Sequence, residues 1–222
     1  MKIVKSKVML EIRNISKKYK RGSEEFPALK DVSLKIEKGD YVSVTGPSGS
    51  GKSTLLNAVG GLIRPDSGEV LYKGENIYRQ KEKYLNYYRK TDVGFMFQQF
   101  HLMPYLTVIE NIRLTCYKES HSNRINFYLD KCSLLDMKDK YPSELSVGEK
   151  QRASFIRAII SDPKLLLADE PTGNLDPGNS EMLMSLIEEY HKEGGTVVLV
   201  SHDPNAVRYS NLNIRIILGR IQ

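Results

Sequence analysis

Residues 46–53 of this 222-residue chain read Gly-Pro-Ser-Gly-Ser-Gly-Lys-Ser, a match to G-x-x-x-x-G-K-[ST]. Each residue type has a physical task there. Gly46, Gly49 and Gly51, with Ser48 and Ser50 between them, let backbone N–H groups turn inward around a row of phosphates. A helix begun near Lys52 aims its partial positive end at the same anion, and Lys52 adds a point charge. Ser53 offers a hydroxyl to Mg²⁺, and Thr54 completes the candidate phosphate-binding set. An apolar strand, Tyr41–Thr45, precedes the loop, and Leu55, Leu56, Ala58 and Val59 follow it as a helical face. This strand–loop–helix setting implies nucleotide binding. Alone, it leaves kinases, GTPases and motor ATPases open.

A second chemical pair closes the apolar run Leu165–Ala168: Asp169 and Glu170. A buried strand ending in carboxylates delivers them to the carboxyl edge of a sheet, where ligands bind in α/β folds. Asp169 is placed to hold Mg²⁺ through water, and Glu170 to polarise an attacking water as general base. Read blandly, the same residues are a strand running into a polar turn before Pro171. His202 follows another apolar run, Val197–Val200, and reaches the same edge. It reads either as a contact to a terminal phosphate or as a loop residue ahead of Pro204. His101, His121 and His191 have no such placement, and no metal-ligand spacing links the four histidines.

The elements that must carry these groups are legible from period and caps. Lys7–Ile15 and Asp31–Ile36 alternate apolar and polar residues, as half-buried strands do, whereas Leu165–Ala168 and Val197–Val200 read as strands buried on both faces. Between Asp176 and Gly195 an N-cap, a first-turn proline and a shared face of Leu183, Leu186, Ile187 and Tyr190 predict a helix stopped by Gly194 and Gly195. From about residue 100 to 160 the helical signal dominates, so a helical lobe is expected inside an α/β core of one domain spanning 1–222. Lys plus Arg is 33 against 27 Asp plus Glu, a net +6 that reads as a solvated surface and equally suits an anionic ligand. Composition excludes collagen-like, disordered and disulfide-scaffold classes. Cys116 and Cys132 read as buried, reduced thiols. Met1–Lys7 does not read as a signal peptide, and no apolar run approaches the roughly 20 residues a membrane span needs.

Residues 145–152, Leu-Ser-Val-Gly-Glu-Lys-Gln-Arg, resemble the LSGGQ-type signature of ABC-transporter ATPase subunits, at that family's spacing upstream of the acidic pair. Gln98 matches the family's glutamine loop, Asp176 its aspartate loop and Tyr19 its adenine-stacking aromatic. The ordered set runs from Tyr19 to His202. Gly173–Asp176, Phe97–Leu102, His202–Pro204 and the insert Lys81–Lys90 are most similar to the macrolide-exporter, lipoprotein-extractor and cell-division types (MacB, LolD, FtsE). The resemblance implies an α/β P-loop NTPase core with a mixed, largely parallel sheet, an N-terminal antiparallel β subdomain and an inserted α-helical subdomain. It also implies ATP and Mg²⁺ as ligands, an ATP-dependent homodimer, and a separate transmembrane permease as partner, with the chain cytoplasmic and peripheral on the inner face of the membrane. Each ATP would lie between Lys52 and Ser53 of one copy and Ser146 and Gly148 of the other. Glu170 would orient water, His202 hold the γ-phosphate, and Gln98 sense Mg²⁺. A regulatory ATPase acting on cell-envelope enzymes is the rival reading. A nucleic-acid-associated ATPase is disfavoured, because Lys and Arg form no aromatic-rich basic stripe.

The signature departs from the usual pattern at Val147 and Glu149. Locally, Ser146 and Glu149 spell a capping box. Asp176 is an N-cap before it is anything else, and Tyr19 lies in a basic run that also suits an edge strand. Phe100–Leu106 reads either as core of the helical lobe or as a groove wall for a partner helix, with Phe100 and Leu102 as the expected contacts.

Overall fold

The computed structural model describes residues 8–116, 120–202 and 204–222, with Arg21, Ser120–Asn123 and Pro204–Ala206 described by their backbone alone. Met1–Lys7 and Asp203 thus lie outside the described residues. Two sheets form. The first pairs β1 (Val8–Arg21), β2 (Glu24–Glu37), β4 (Ser67–Tyr72) and β5 (Glu75–Asn76) antiparallel, in the order β2-β1-β4-β5. The second has six strands in the order β10-β9-β3-β8-β7-β6. Its members are β3 (Tyr41–Thr45), β6 (Val93–Met96), β7 (Leu165–Asp169), β8 (Thr196–Val200), β9 (Leu212–Ile217) and β10 (Arg220–Ile221). All neighbours in it run parallel except the terminal β9–β10 hairpin.

The continuous apolar runs are explained by burial on both faces. Val42, Val44, Leu165, Leu167, Val198 and Val200 pack with Leu55, Leu56, Ala58 and Val59 of α1 (Lys52–Val59) and with the inner face of the antiparallel sheet. Their neighbours Tyr41, Leu166, Ala168, Val197 and Leu199 face the opposite way, into a second core. That core is closed by α3 (Val108–Arg113), α4 (Ser120–Lys131), α5 (Val147–Ile159) and α6 (Pro177–Lys192). Three of these helices, α3 to α5, lie between β6 and β7, where the helical signal dominates the sequence. Leu183, Leu186, Ile187 and Tyr190 are the buried face of α6, as its period predicts.

Several features differ from expectation. β1 continues six residues past Ile15, because β2 pairs with the basic run as far as Arg21↔Glu24. β4 has no clear sequence signature, and α2 (Glu82–Tyr87), inside the Lys81–Lys90 insert, passes into a π-helical turn at Tyr88–Asp92 that runs past its end. Cys132 is buried, and burial pushes its thiol up to about 12, whereas Cys116 is only half-buried. No helix among the described residues is long and apolar enough to cross a membrane.

Among the described residues, three α-helix starts carry acidic caps. Thr107/Glu110 and Ser146/Glu149 are full capping boxes, and Asp176 accepts the Asn179 N–H at 3.0 Å. Backbone N–H donors are the leading cause in each case, holding Glu110, Glu149 and Asp176 below the usual carboxylate range. A folded pKa below the unfolded one contributes stability above the unfolded value, and that stability is lost as pH falls through the folded value. Asp169 has the opposite sign, because burial raises it and protonation relieves it. The expected outcome is a urea midpoint that is flat from pH 7 to about 5 and falls below about pH 4. In Glu110→Gln, a cap variant away from the candidate site, the acid slope becomes shallower.

Candidate functional site

The register of the parallel strands assembles the site. Val44 pairs with Val200, Val200 with Asp169, and Ala168 with Met96. The phosphate loop, Ser201–His202, Asp169–Glu170 and Phe97–Gln98 therefore leave the sheet along one edge. Side-chain alternation sends Asp169 to the same face as Leu165 and Leu167, the face covered by α1. Ser53, in the first turn of α1, donates to Asp169 Oδ1 at 3.0 Å. Burial is the main cause that raises the Asp169 pKa, with the Glu170 charge adding to it. The Ser53 hydrogen bond and the Lys52 charge oppose the rise.

The loop is shaped by its glycines. Gly46 has φ +145°, and a Cβ there would lie 2.1 Å from the Ile216 carbonyl oxygen. Gly51, at φ +108°, caps the start of α1, and its Cβ would meet the Ala28 carbonyl at the same distance. Lys52 is 5% exposed, and its Nζ donates to the carbonyls of Gly46 (2.9 Å) and Pro47 (3.0 Å), which curls the loop over its own ammonium. Ser50 Oγ is buried and has no hydrogen-bond partner among the described residues. An orphaned hydroxyl beside a curled, cationic loop fits a phosphate ligand. The paired oxygens of Ser53 and Asp169 are the hard donors that Mg²⁺ takes alongside phosphate.

Glu170 adopts φ +47°, and its Oε2 contacts Nδ1 of His202, which leaves Nε2 as the ring nitrogen not engaged by the carboxylate. His202 and Glu170 thus meet although 32 positions separate them, a contact no local signal announces. Gln98 is exposed, two residues beyond β6. Among the other histidines, His191 Nε2 lies 2.7 Å from the Gly39 carbonyl and His101 packs edge-on against Phe97. The His121 side chain lies outside the described residues. Tyr19 is 41% exposed on β1, opposite Phe26.

Ser146 and Glu149 adopt the capping box: the Ser146 N–H donates to Glu149 Oε2 at 2.7 Å, and the Glu149 N–H to Ser146 Oγ at 3.3 Å. Gly148 is buried against α6, where a Cβ would stand 2.4 Å from Asn179 Oδ1. Asn179 in turn donates Nδ2 to Asp176 Oδ2 (2.6 Å) and accepts from the Arg152 guanidinium (2.5 Å). This Arg152–Asn179–Asp176 chain was not among the sequence-based expectations. Its only local signal is the i,i+3 spacing of Asp176 and Asn179. In Phe100–Leu106, Leu102 packs on the core and Phe100 is half-buried, while Tyr105 is 71% exposed. Buried Asn111 pins the segment, bonding the backbone of Met103 and Leu106. The segment is therefore part core and part surface, with Tyr105 rather than Leu102 turned outward.

Residues 29–173 match the ABC transporter family. The chain is a member of the ABC-transporter ATPases. A similar protein is the ABC transporter ATP-binding protein YvrO of Bacillus subtilis, 40% identical over 218 residues, covering 96% of this chain and 95% of YvrO. The macrolide export ATP-binding/permease protein MacB of Chlorobaculum tepidum is 38% identical over 91% of this chain but 32% of its own length. The solved dimeric structure of MJ0796, a cassette from Methanocaldococcus jannaschii, superposes with a TM-score of 0.91 at 38% identity, covering 96% of this chain and 97% of that one. MJ0796 has also been solved as a dimer in a post-hydrolysis state with ADP and Pi. The fold is thus that of the ABC cassettes, and the activity is ATP hydrolysis.

The Gly148–Asn179 approach gives the signature glycine of this ABC ATPase a reason within its own chain. Gly148→Ala should destabilise the fold by about 1–3 kcal/mol through overpacking. Adding Asn179→Ala should recover part of that loss. Urea denaturation of the two single variants and the double variant measures the coupling, and strictly additive effects would refute the steric account.

Proposed function

We propose that two copies of this chain pair head to tail around two ATP molecules and drive a separate transmembrane permease that exports or extracts a peptide, lipoprotein or drug-like substrate. The observation that carries the reading is the Ser53–Asp169 hydrogen bond with the Glu170–His202 contact beside it. Together they bring residues 46–53, two side-chain oxygens suited to a metal ion and the Glu170 carboxylate to one sheet edge, which supports these roles. The dimeric MJ0796 structures support the pairing, and the name of MacB supports export.

In this reading the backbone of Gly46, Ser48, Gly49, Ser50 and Gly51, with Lys52 and Thr54, holds the phosphates, and Tyr19 stacks on adenine. Ser53, Asp169 and Gln98 hold Mg²⁺, which when bound neutralises charge on the β- and γ-phosphates. Glu170 accepts the proton of the attacking water as the oxygen bonds to the γ-phosphorus and the β–γ bridge breaks. His202, held by Glu170, turns its remaining ring nitrogen to the γ-phosphate. Ser146 and Gly148 of the second copy close over the same phosphate, with Asp176 at the seam. Two helix N-termini, one from each copy, then share one anion. Tyr105 and Met103 are the proposed contacts to the permease, which keeps the chain at the cytoplasmic face of the membrane.

The testing experiment is Glu170→Gln. Turnover should fall by about 10²–10⁴-fold, the usual contribution of a general base. Size exclusion should show a dimer with ATP and a monomer with ADP. A variant that binds ATP and never pairs would end the proposal.

Glu149 sharpens it. Its carboxylate lies in the first turn of α5, where it favours the helix but repels an incoming γ-phosphate. Glu149→Gln should tighten ATP-driven pairing by roughly twofold to fivefold, from about 0.3–1 kcal/mol at a helix N-terminus, most clearly at low salt. An unchanged or weaker dimer constant would refute this role for Glu149.

A further inference from the structure

Gln151 lies five residues past Ser146 on the buried face of α5 and is 1% exposed. Its Nε2 donates to the Pro171 carbonyl at 2.7 Å, while its Oε1 is buried and accepts no hydrogen bond among the described residues. A side chain there for packing alone would be better served by an apolar group, because a buried acceptor left unpaired is costly. Methionine would fill the same space. The half-used amide therefore points to its one bond, and that bond ends on the residue directly after Glu170.

Glu170 needs such support. Its φ of +47° is a left-handed conformation, which a residue carrying a Cβ adopts only where its surroundings enforce it. Its N–H donates to the Val200 carbonyl at 2.9 Å, and its own carbonyl accepts from Gly173 N–H at 3.2 Å. The first hold comes from the neighbouring strand and the second from the turn itself. The Gln151 bond brings in a third element, the helix that begins at Ser146. That helix is anchored independently. Arg152 Nε donates to the Cys132 carbonyl (2.9 Å), and Arg157 donates to the carbonyls of Phe100 (2.7 Å) and His101 (2.6 Å). α5 therefore has other polar anchors, and among the described residues Gln151 is its side chain that bonds the backbone next to Glu170.

We infer that Gln151 is a positioning residue for hydrolysis, transmitting the placement of the signature helix to Glu170 of the same chain. The inference rests on the reading above, in which Ser146 engages the partner's ATP and Glu170 serves the chain's own. On that basis one helix belongs to both nucleotide sites. When Ser146 docks on one ATP, the shift of α5 moves the Pro171 carbonyl through Gln151 and sets the carboxylate at the other ATP. Engagement at one site thereby licenses cleavage at its twin.

The test uses the full chain as Gln151→Met, which keeps volume and removes the donor, and as Gln151→Asn, whose amide is one methylene too short to reach. Both are compared with wild type and with Glu170→Gln. The expected result is a kcat lowered roughly tenfold to a hundredfold, the scale of a slight misplacement of a catalytic group. KM for ATP should stay within about twofold, and the ATP-bound dimer should persist longer than in wild type after an ADP chase. A kcat within about twofold of wild type overturns the inference. So does a joint loss of ATP affinity and pairing, or the unfolding of both variants, which would make Gln151 ordinary core. If Glu170→Gln itself gathers no dimer, the underlying site reading fails, whatever Gln151 does.

Discussion

The site depends on strand register in a sheet buried on both faces. β3, β8, β7 and β6 carry apolar side chains alternately into two cores, so a slip of one residue would turn every buried group to the wrong side. Each fully buried leucine or valine is worth about 1.5–3 kcal/mol, and β7 and β8 bury nearly every residue they have. A slip would keep these residues from water but seat each in a space shaped for its neighbour; misfit at about 1–3 kcal/mol per site, over the nine residues buried in β7 and β8, is comparable to or exceeds the stability of a domain, about 5–15 kcal/mol. The chemistry inherits that certainty. Asp169 faces α1 because Leu165 and Leu167 do, and the Ser53 hydroxyl waits there because Leu55 and Leu56 seat α1 on the same surface. A 3.0 Å polar contact is set by apolar packing on either side of it.

The local electrostatics follow from how these groups are enclosed. Burial penalises the charge on Asp169, and Glu170 beside it adds like-charge repulsion, with the Ser53 hydroxyl and the Lys52 ammonium only partly compensating. A pair of carboxylates held this way gains from a divalent cation. Lys52, curled onto two loop carbonyls, is already desolvated and aimed, so little side-chain entropy remains to be lost when an anion arrives. The loop is preorganised by conformation, since Gly46 and Gly51 sit where a Cβ would strike a backbone carbonyl.

Much of this was legible in the sequence wherever the signal was local. Tyr41–Thr45 and the caps at Ser146 and Asp176 could be read from neighbouring residues, because strand burial, capping and loop curvature are decided within a few positions. β1 beyond Ile15 was not legible, because Lys17–Arg21 has no apolar alternation and is a strand only through its pairing with β2. β4 was hidden by Gly68 inside it, whose φ of +82° marks an irregularity rather than a regular strand start. The sequence placed Glu170 and His202 at one sheet edge, but side-chain contacts between distant positions could not be read from it. Glu170 meets His202, Gln151 meets Pro171, and Arg152 meets Asn179 only once the fold exists. Leu102 could not be assigned to core or surface for the same reason, since its burial is decided by helices that follow it.

The first turn of α5 brings local stability and proposed function into opposition. Glu149 satisfies the Ser146 N–H and lies where the helix dipole favours an anion, so the helix start is content with its own carboxylate. In the proposed dimer, the phosphate of an ATP held by the second copy would compete with that internal anion for the same positive end, which would make affinity at the seam a difference between two similar interactions. An interface built on such a difference opens readily once the phosphate charge is released. On the inference drawn above, a helix whose cap favours the free state and whose interior holds Pro171 through Gln151 would report nucleotide arrival and departure along one rigid body. In the proposed cycle, weak pairing at the signature and firm coupling behind it would both follow from the same thirteen-residue helix.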